Sequence, residues 1–483
     1  MRSLAIGGMK CNKTQSGKPV PKSQSTVFDG TVVIVGGGVA GLITAHLLTE
    51  AGCKVVVIEK LPIVGGLARS FHYDDFTFDC GPHRFYTANP NVSNYLDRVI
   101  KRHSTFFPRK SEVFFKGKYY GWPLKPQNLA QLPPQLALKS FVDLTVNGFK
   151  EYGDLTFEDY ILRQYGPTLY EHFFRGYSEK FLGISPSDTH SDWAKVGINR
   201  AIIDDKAQMQ NLFNLLRTTL LQGNAEPPRY LYPKGGMQDA WVQVSQLFEG
   251  LGGRIITGTG ARLEGSDGKI DAVWAGDERI ECSTVVWTAP ITLACKQLDL
   301  PVPNLNYLGL LLYNVMVNEE PVRDYQWCYY GSQQLLINRV SVPKFFSPDT
   351  APPGTAGYCC EVTCMKDDTR WQHAERLTDW VVDDLVKVGM VKHRQNVIDV
   401  RVERLAESYP IYHKDYPGQL DMARKQLSTY SNMHLAGRTG LFWYNNMDHS
   451  MENAMQLTKR LLRDAGHAEA EEAAIAAGLP LGA

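Results

Sequence analysis

The strongest constraint on this chain is a glycine-rich turn, Gly36–Gly41, with the spacing G-x-G-x-x-G. The turn follows the β-branched run Thr31–Val35, which is typical of a buried strand, and precedes a helical stretch. A second strand signal, Lys54–Ile58, comes after that stretch. The order strand, glycine turn, helix, strand is the β-α-β unit that binds a dinucleotide, so the sequence predicts an α/β fold with a parallel sheet.

The positions of this unit have distinct physical roles. Gly36 permits the tight turn, Gly38 lets the backbone approach a pyrophosphate, and Gly41 lets the helix pack closely on the strand. Free N–H groups at the start of the helix attract phosphate. Glu59 falls where an acid bonds a ribose hydroxyl, and an acid there disfavours a 2′-phosphate. The residues predicted to bind the dinucleotide here are Gly36, Gly38, Ala40, Gly41, Glu59 and Lys60.

Composition excludes several classes of protein. The chain has 483 residues, and Lys plus Arg and Asp plus Glu each number 51, so the basic surplus of a nucleic-acid binder is lacking. Nine cysteines without a C-x-x-C pair argue against a disulfide scaffold and a metal site. They favour a reducing compartment, either cytoplasmic or inside an organelle. No apolar run reaches the roughly 18 residues of a membrane-spanning helix, so we expect a soluble protein.

Strand signals are scattered among helical stretches along the whole chain. This pattern predicts a Rossmann-like domain assembled from separated segments, with an inserted helical and mixed α+β domain that covers the substrate. We expect the first domain to comprise 30–90, 230–300 and 430–466, and the second to comprise 91–229 and 301–429.

Three other segments carry weaker signals. Residues 1–29 are basic and lack the apolar region of a secretory signal, which predicts a flexible tail. Residues 467–483 are rich in Ala and Glu and are interpreted as a second tail. The region Leu129–Phe149 is amphipathic, which suits either a core-facing helix or contact with a membrane surface.

Two segments that follow the first unit bear on the cofactor. Val64–Ser70 contains a Gly-Gly pair beside Arg69, which suits close backbone approach and a charge on phosphate. The second is Phe78–Phe85. With the glycine unit, they resemble the FAD-binding oxidoreductases of the amine oxidase and protoporphyrinogen oxidase superfamily. The likeness continues in Tyr232–Met237, Val285–Pro290, Gly437–Arg438 and Tyr444–Met451.

This resemblance implies that the cofactor is FAD. It also implies which residues bind FAD beyond the first unit. They are Gly66, Leu67, Ala68, Arg69, Gly81, Pro82, His83, Arg84, Gly437, Arg438, Asp448, His449, Ser450 and Met451.

Within the superfamily, the chain resembles a branch near UDP-galactopyranose mutase. Phe173–Lys180 is similar to a segment of that branch, and Asn338–Val340 is similar to its loop with a phosphate-binding arginine. Two departures stand against mutase activity. Tyr86 occupies a position where the mutase has a histidine by the flavin, and Phe181–Gly183 replaces a segment whose tryptophan frames the sugar nucleotide.

Three residues are candidates for the catalytic site, each with an alternative. His83 polarises the flavin edge or merely caps its loop. Arg339 binds a phosphate or carboxylate with its planar fork if it faces the cavity, and otherwise it is a solvated loop charge. Tyr444 stacks near the flavin or lines the substrate cavity.

Three of the cofactor residues also have structural alternatives. A surface ion pair is the alternative for Arg69, and pairing with a structural acid is the alternative for Arg84. Asp448 precedes a helix, so it is also a candidate N-cap.

Three functions follow from these residues. The first is an FAD-dependent oxidoreductase that removes a hydride equivalent from a small organic substrate at flavin N5. The second is a redox-neutral, flavin-dependent mutase acting on a nucleotide sugar, with Arg339 and Arg438 holding the diphosphate. The third is a non-catalytic module that FAD stabilises. The expected partner is a small molecule, and the sequence leaves the oligomeric state open.

Overall fold

A computed structural model of the chain describes residues 30–122, 133–147, 150–195 and 229–465. The tails predicted at 1–29 and 467–483 lie outside these ranges, as do the two ends of the amphipathic region 129–149. Within the described ranges, no helix combines the length and the apolarity needed to cross a membrane.

The strands are β1 Thr31–Val35, β2 Lys54–Ile58, β3 Ser70–Tyr73, β4 Phe76–Asp79, β5 Ser104–Pro108, β6 Ser111–Phe115, β7 Lys118–Trp122, β8 Arg229–Pro233, β9 Arg254–Ile256, β10 Ala261–Ser266, β11 Lys269–Ala275, β12 Glu278–Glu281, β13 Thr284–Trp287, β14 Tyr307–Val317, β15 Trp327–Tyr330, β16 Arg339–Ser341, β17 Ala356–Cys364, β18 Val397–Pro410 and β19 Met433–Leu435. The helices are α1 Val39–Glu50, α2 Pro90–Val99, α3 Pro134–Asn147, α4 Phe157–Leu169, α5 Gly176–Leu182, α6 Met237–Gly250, α7 Ile291–Gln297, α8 Thr369–Gln372, α9 Thr378–Lys387, α10 Tyr416–Leu427, α11 Gly437–Gly440 and α12 Met447–Asp464.

A five-stranded parallel sheet lies at the centre of the dinucleotide side, in the order β19-β13-β1-β2-β9. All five residues of β1 are buried, as its β-branched composition predicts. The strands come from residues 31–58, 254–256, 284–287 and 433–435, so the predicted Rossmann-like sheet assembled from separated segments is confirmed.

Helix α1 packs against this sheet and lies between α6 and α12. Residues 40–49 of the helix are all buried, because neighbours cover it on several sides. This packing holds the start of α1 at the carboxyl end of β1, where a phosphate site is expected.

The second side of the molecule is built on a seven-stranded mixed sheet, in the order β18-β14-β17-β16-β15-β6-β7. Alternate residues of β14 face two different cores, as the pleat of a strand requires. Leu311 and Tyr313 join the core that includes Leu385 of α9. Leu310 and Leu312 join the core shared with Trp287 of the parallel sheet, so this face packs toward the dinucleotide side.

The domain boundary at residue 90 stays a prediction, and the packing of the dinucleotide side continues beyond it. The apolar face of α2, including Val92 and Leu96, belongs to the same core as β1 and α1. Strand β5 pairs with β8 directly after it, which keeps the chain on the dinucleotide side as far as residue 108. The predicted first domain also contains a second, separate sheet, because β10, β11 and β12 pair antiparallel to one another.

A methyl group at Gly41 tests the tightest contact of the glycine turn. A Cβ there would lie 1.9 Å from the carbonyl oxygen of Gly36, which is backbone and has no room to move. We expect Gly41→Ala to lower the free energy of unfolding by about 2 kcal/mol or more, as overpacking does. Chemical denaturation followed by circular dichroism measures this change.

The matched control for this variant is Gly418→Ala in α10, where an added Cβ has no neighbour within 4 Å. Because alanine favours helix over glycine, we expect this change to raise the free energy of unfolding by about 0.5–1 kcal/mol. Equal effects of the two substitutions would contradict the packing role of Gly41.

Candidate functional site

A groove of about 510 Å³ runs along the carboxyl ends of the parallel strands. It is lined by residues that directly follow four of those strands: Gly36 after β1, Glu59 after β2, Thr288 after β13 and Gly437 beyond β19. Ligands of open α/β sheets bind at this edge. The residues predicted to bind the cofactor that line the groove are Gly36, Gly38, Ala40, Glu59, Lys60, Gly66, Leu67, Ala68, Arg69, His83, Gly437, Arg438 and Ser450.

The second glycine segment docks on the first. The N–H of Gly65 donates to the carbonyl of Gly37 at 2.8 Å. A Cβ at Gly66 would approach the Cα of Gly38 to 3.0 Å, so the two backbones meet where side chains would not fit. Gly38 itself differs, since a Cβ there would meet nothing nearer than 3.8 Å. Protein packing therefore does not require a glycine at position 38, and the space beside its Cα is open to a ligand.

Glu59 braces the glycine turn as well as lining the groove. Its Oε2 accepts a hydrogen bond from the N–H of Gly37 at 2.7 Å, and its Oε1 accepts one from Leu61 at 2.8 Å. The residue is 7% exposed. The predicted contact with a ribose hydroxyl stays a prediction, and the bracing of the turn is a structural role that the motif alone did not reveal.

Arg69 lies at the edge of the groove and is held by its own segment. Its Nη1 donates to the carbonyl of Gly66 at 2.8 Å, and its guanidinium lies over the ring of Phe71. Among the described residues no carboxylate pairs with it. The surface ion pair considered as an alternative is therefore not observed in this part of the chain.

A smaller inner pocket of about 250 Å³ adjoins the groove. Leu67, His83, Leu405, Arg438 and Met447 line both spaces, so the two spaces are neighbours. The structure brings together here the predicted site residues Pro82, His83, Arg84, Arg339, Arg438, Tyr444, Asp448 and His449.

His83 presents an unsatisfied ring to this pocket. Its Nδ1 is buried and has no hydrogen-bond partner among the described residues. Burial, and then the guanidinium groups of Arg438, Arg339 and Arg84, lower the pKa of His83 to about 3. The imidazole is therefore neutral near pH 7, and it offers hydrogen bonds rather than a positive charge.

Arg339 begins strand β16 and is neither a solvated charge nor a free cation. Its Nε and Nη2 donate to the two carboxylate oxygens of Glu361 at 2.6 and 2.7 Å, and Nη2 also lies 3.2 Å from the hydroxyl of Tyr409. Burial alone would lower the pKa of Arg339, but the Glu361 carboxylate raises it well above its ordinary value. Arg339 thus reaches the pocket with its charge already compensated.

Arg438 faces the pocket with backbone partners. It donates to the carbonyl of Ser408 at 3.2 Å and to the carbonyl of Asn445. Its guanidinium lies over the rings of Tyr409 and Tyr444, 5.8 and 5.4 Å from their centroids. No carboxylate pairs with it within the described ranges, so its positive charge is not cancelled.

Arg84 stacks on aromatic rings instead of pairing with an acid. Its guanidinium lies 4.7 Å from the centroid of Trp327 and 5.1 Å from that of Tyr230, and it donates to the carbonyl of Pro82 at 3.1 Å. The structural acid considered as its alternative partner is absent from the residues that the structure describes. Arg84 therefore adds a second uncancelled charge to the pocket wall.

The start of α12 differs in one respect from the sequence prediction. Asn446 is the N-cap and Asp448 lies inside the first turn, so the N-cap alternative for Asp448 is wrong. Asp448 and His449 line the inner pocket, and Ser450 lines the groove. The side chain of Met451 is fully buried in the core and lines neither space. Successive residues of a helix point in different directions, so Met451 faces the core whereas Asp448, His449 and Ser450 face the pocket or the groove.

Two predicted residues support the site without lining it. Gly41 packs against the turn, and Gly81 lies against the ion pair, where a Cβ would approach Glu361 to 2.8 Å. Glu361 and Asn445 were not predicted. Asn445 lines the groove with a buried Nδ2 that has no partner among the described residues. Asn445 could have been predicted, because it lies inside the segment Tyr444–Met451 that resembles the FAD-binding oxidoreductases. Glu361 could not, because no motif in the sequence includes it.

Tyr444 lies between stacked rings at the wall of the pocket. Its ring stacks on Trp193 with centroids 4.9 Å apart and meets Tyr409 edge-on at 5.4 Å. Tyr444 also lines a further cavity beyond the inner pocket. It therefore lines two cavities, and its predicted contact with a substrate stays a prediction.

Comparisons with known proteins identify a matching domain and several similar proteins. Residues 34–99 match the family model of the NAD(P)-binding Rossmann-like domain. The chain is 30% identical over 166 residues to a protein of Klebsiella pneumoniae named as a UDP-galactopyranose mutase, which covers 32% of this chain and 42% of that protein. It is 29% identical over 170 residues to a dTDP-fucopyranose mutase of Escherichia coli, with 32% and 43% covered. The chain thus spans less than half the length of the curated mutases it matches.

Two further similarities extend the comparison. A crystal structure of reduced UDP-galactopyranose mutase has a TM-score of 0.76 at 19% identity and covers 93% of this chain and 97% of its own. An L-amino acid oxidase of Crotalus durissus cumanensis is 34% identical over 84 residues, 17% of each chain. The fold and the groove define a Rossmann-type dinucleotide-binding protein. The chain is similar to flavoproteins of the amine oxidase and UDP-galactopyranose mutase groups, in the direction that the sequence resemblance implied.

The neutral state of His83 predicts a dependence of stability on pH. Below pH 6.5 the unfolded chain binds a proton on this histidine, whereas the folded protein does not bind it until about pH 3. The free energy of unfolding therefore falls as the pH falls through this range. Between pH 7 and pH 5 the contribution reaches about 2 kcal/mol.

We expect His83→Gln to remove this part of the pH dependence, measured by denaturant unfolding at pH 7 and pH 5. His393→Gln is the matched control, because His393 is exposed on the surface. An unchanged difference between the two pH values in His83→Gln would show that the folded His83 takes up its proton normally.

Proposed function

We propose that this protein is an FAD-dependent enzyme that removes a hydride equivalent from a small organic substrate at the inner pocket. The observation that carries this proposal is that the groove and the inner pocket adjoin each other and share Leu67, His83 and Arg438 in their lining. A cofactor with a nucleotide part and a reactive ring requires such a two-part space.

The residues of the groove fit the nucleotide part of FAD. The glycine turn and the start of α1 would hold the pyrophosphate, with Arg69 nearby and Glu59 at the ribose. Docking of Val64–Ser70 on the turn favours FAD over NAD, because the β-α-β unit alone serves both cofactors. When bound, FAD supplies the redox chemistry by accepting the hydride equivalent.

The residues of the inner pocket fit a polar ring system. The Nδ1 of His83 and the Nδ2 of Asn445 are buried groups that lack partners in the described structure and line the two adjoining spaces. Buried polar atoms rarely stay unsatisfied, so a ligand that bonds them is favoured. The positive charges of Arg84 and Arg438 would stabilise negative charge that develops on a ring in the pocket when the ring accepts a hydride equivalent. The rings of Tyr409 and Tyr444 line the same wall.

A nucleotide-sugar mutase is the second candidate, and the matches to two mutases favour it. That function needs guanidinium groups for the diphosphate. Arg339 is already bonded to both oxygens of Glu361, and Arg438 donates to two carbonyls. Binding a diphosphate would therefore require these partners to be exchanged. A non-catalytic module ranks third, because the adjoining groove and pocket leave space for both a cofactor and a substrate.

Gly38→Ala tests the cofactor site without disturbing the fold. A Cβ at this position has room within the protein, so we expect normal stability. The backbone must approach the pyrophosphate here, so we expect at least about tenfold weaker FAD binding. Equilibrium dialysis and flavin absorbance measure the affinity, with Gly418→Ala as the control that retains it. Normal FAD affinity in Gly38→Ala would overturn the assignment of this turn.

Anaerobic titration separates the two candidate reactions. The FAD-loaded protein is reduced with dithionite and titrated with UDP and UDP-galactose while flavin absorbance and fluorescence are followed. We expect no saturable response from either nucleotide in either redox state. Saturable binding by the reduced form, with ring-isomerised sugar recovered, would replace the oxidoreductase proposal with the mutase.

A further inference from the structure

A third cavity, of about 820 Å³, adjoins the inner pocket. Arg339 and Tyr444 line both spaces and form the wall between them. We name this cavity the aromatic chamber, because its lining includes Phe115, Trp122, Phe173, Tyr177, Trp193 and Tyr329. Its volume lies within the usual range for sites that enclose a small molecule, about 300–1,000 Å³.

These rings come from three parts of the chain that are distant in sequence. Phe115 and Trp122 lie on the hairpin of β6 and β7, and Tyr329 lies on β15, which pairs with β6. Phe173 lies in the helical segment between α4 and α5, and its ring centroid is 4.5 Å from that of Phe115. The two sides of the chamber thus touch through aromatic contacts, which hold it in shape.

The charged residues of the chamber are distributed unevenly. Lys116, Glu171 and Lys387 line it, and all three are exposed. Glu171 is already paired with Arg175 at 2.8 Å. Charge on the described lining is therefore concentrated at the solvent-facing rim, where water solvates it.

The buried charge at the inner wall is compensated. Arg339 and Glu361 lie directly opposite each other on β16 and β17 and are joined by two hydrogen bonds. Arg339 lines the chamber, whereas the Glu361 carboxylate is fully buried behind it and accepts both of these hydrogen bonds, so an entering anion would meet a guanidinium whose charge is already compensated. Because the pair is neutral as a whole, the interior favours apolar groups over a diphosphate.

We infer that the substrate is an amphiphile with a hydrocarbon body that fills the aromatic chamber and a polar end that remains at the rim. This inference rests on the proposed function, because it places the substrate beside the pocket of the cofactor ring. Burial of hydrocarbon among these rings supplies the binding energy. Solvation of the polar end at the rim avoids the cost of burying it.

A series of straight-chain carboxylates tests the inference. The FAD-loaded protein is titrated with hexanoate, octanoate and decanoate below their micelle concentrations. Binding is followed by tryptophan fluorescence, since Trp122 and Trp193 line the chamber, and by the flavin spectrum. We expect the affinity to rise about fourfold for each added CH₂. An affinity that does not change with chain length would overturn the inference.

Phe115→Ser adds a test of location. We expect it to weaken decanoate binding by at least about tenfold while the FAD content stays at that of the parent protein. Trp380→Ser is the control, because Trp380 is a large aromatic residue that is 63% exposed and does not line the chamber. Equal decanoate affinities in the two variants would place the ligand elsewhere and overturn the inference.

The FAD content of the parent protein separates the two levels of failure. A folded protein that takes up no FAD would refute the proposed function itself. A protein that binds FAD but shows no dependence on chain length would leave the proposed function standing and remove only the amphiphile.

Discussion

The parallel pairing of β1 with β2 and β13 is the constraint on which the rest of the structure depends. It places the ends of three strands side by side, so that Gly36, Glu59 and Thr288 line one groove. Two features then fix the position of the buried helix α1. Gly41 lets the helix approach the glycine turn, and α6 and α12 pack against its other sides. The hydrogen bond from Gly37 to Glu59 closes this unit on itself. The phosphate site is thus a consequence of backbone geometry.

A second interaction decides the character of the substrate side. Arg339 and Glu361 form a buried pair at the junction of the inner pocket and the aromatic chamber. A buried pair of this kind adds little net stability, since desolvation offsets the attraction. Its effect here is electrostatic, because it compensates one of the three arginine charges that line the inner pocket. Arg84 and Arg438 have no carboxylate partner among the described residues, so the uncompensated arginine charge lies at the inner pocket.

Local patterns predicted the parts of the site that are built from backbone. The glycine unit and the segment Val64–Ser70 meet as the motifs imply, and most of the predicted cofactor residues line the groove or the inner pocket. Local patterns were silent where neighbours distant in sequence decide the outcome. They did not indicate that α2 and β5, which lie beyond the predicted boundary at residue 90, find their partners on the dinucleotide side. Asp448 was a candidate N-cap, but the N-cap is Asn446, two residues earlier, and the helix begins at Met447.

The sequence by itself determined the β-α-β unit and the glycine contacts, because these depend on spacings of a few residues and on backbone dihedral angles. The tertiary structure alone decided the state of the arginines. Arg339 is neutralised by Glu361 from the neighbouring strand, whereas Arg84 stacks on Trp327. It also decided that aromatic residues from separate segments enclose one chamber. Such contacts join residues far apart in the chain, and no local spacing encodes which side chains will meet.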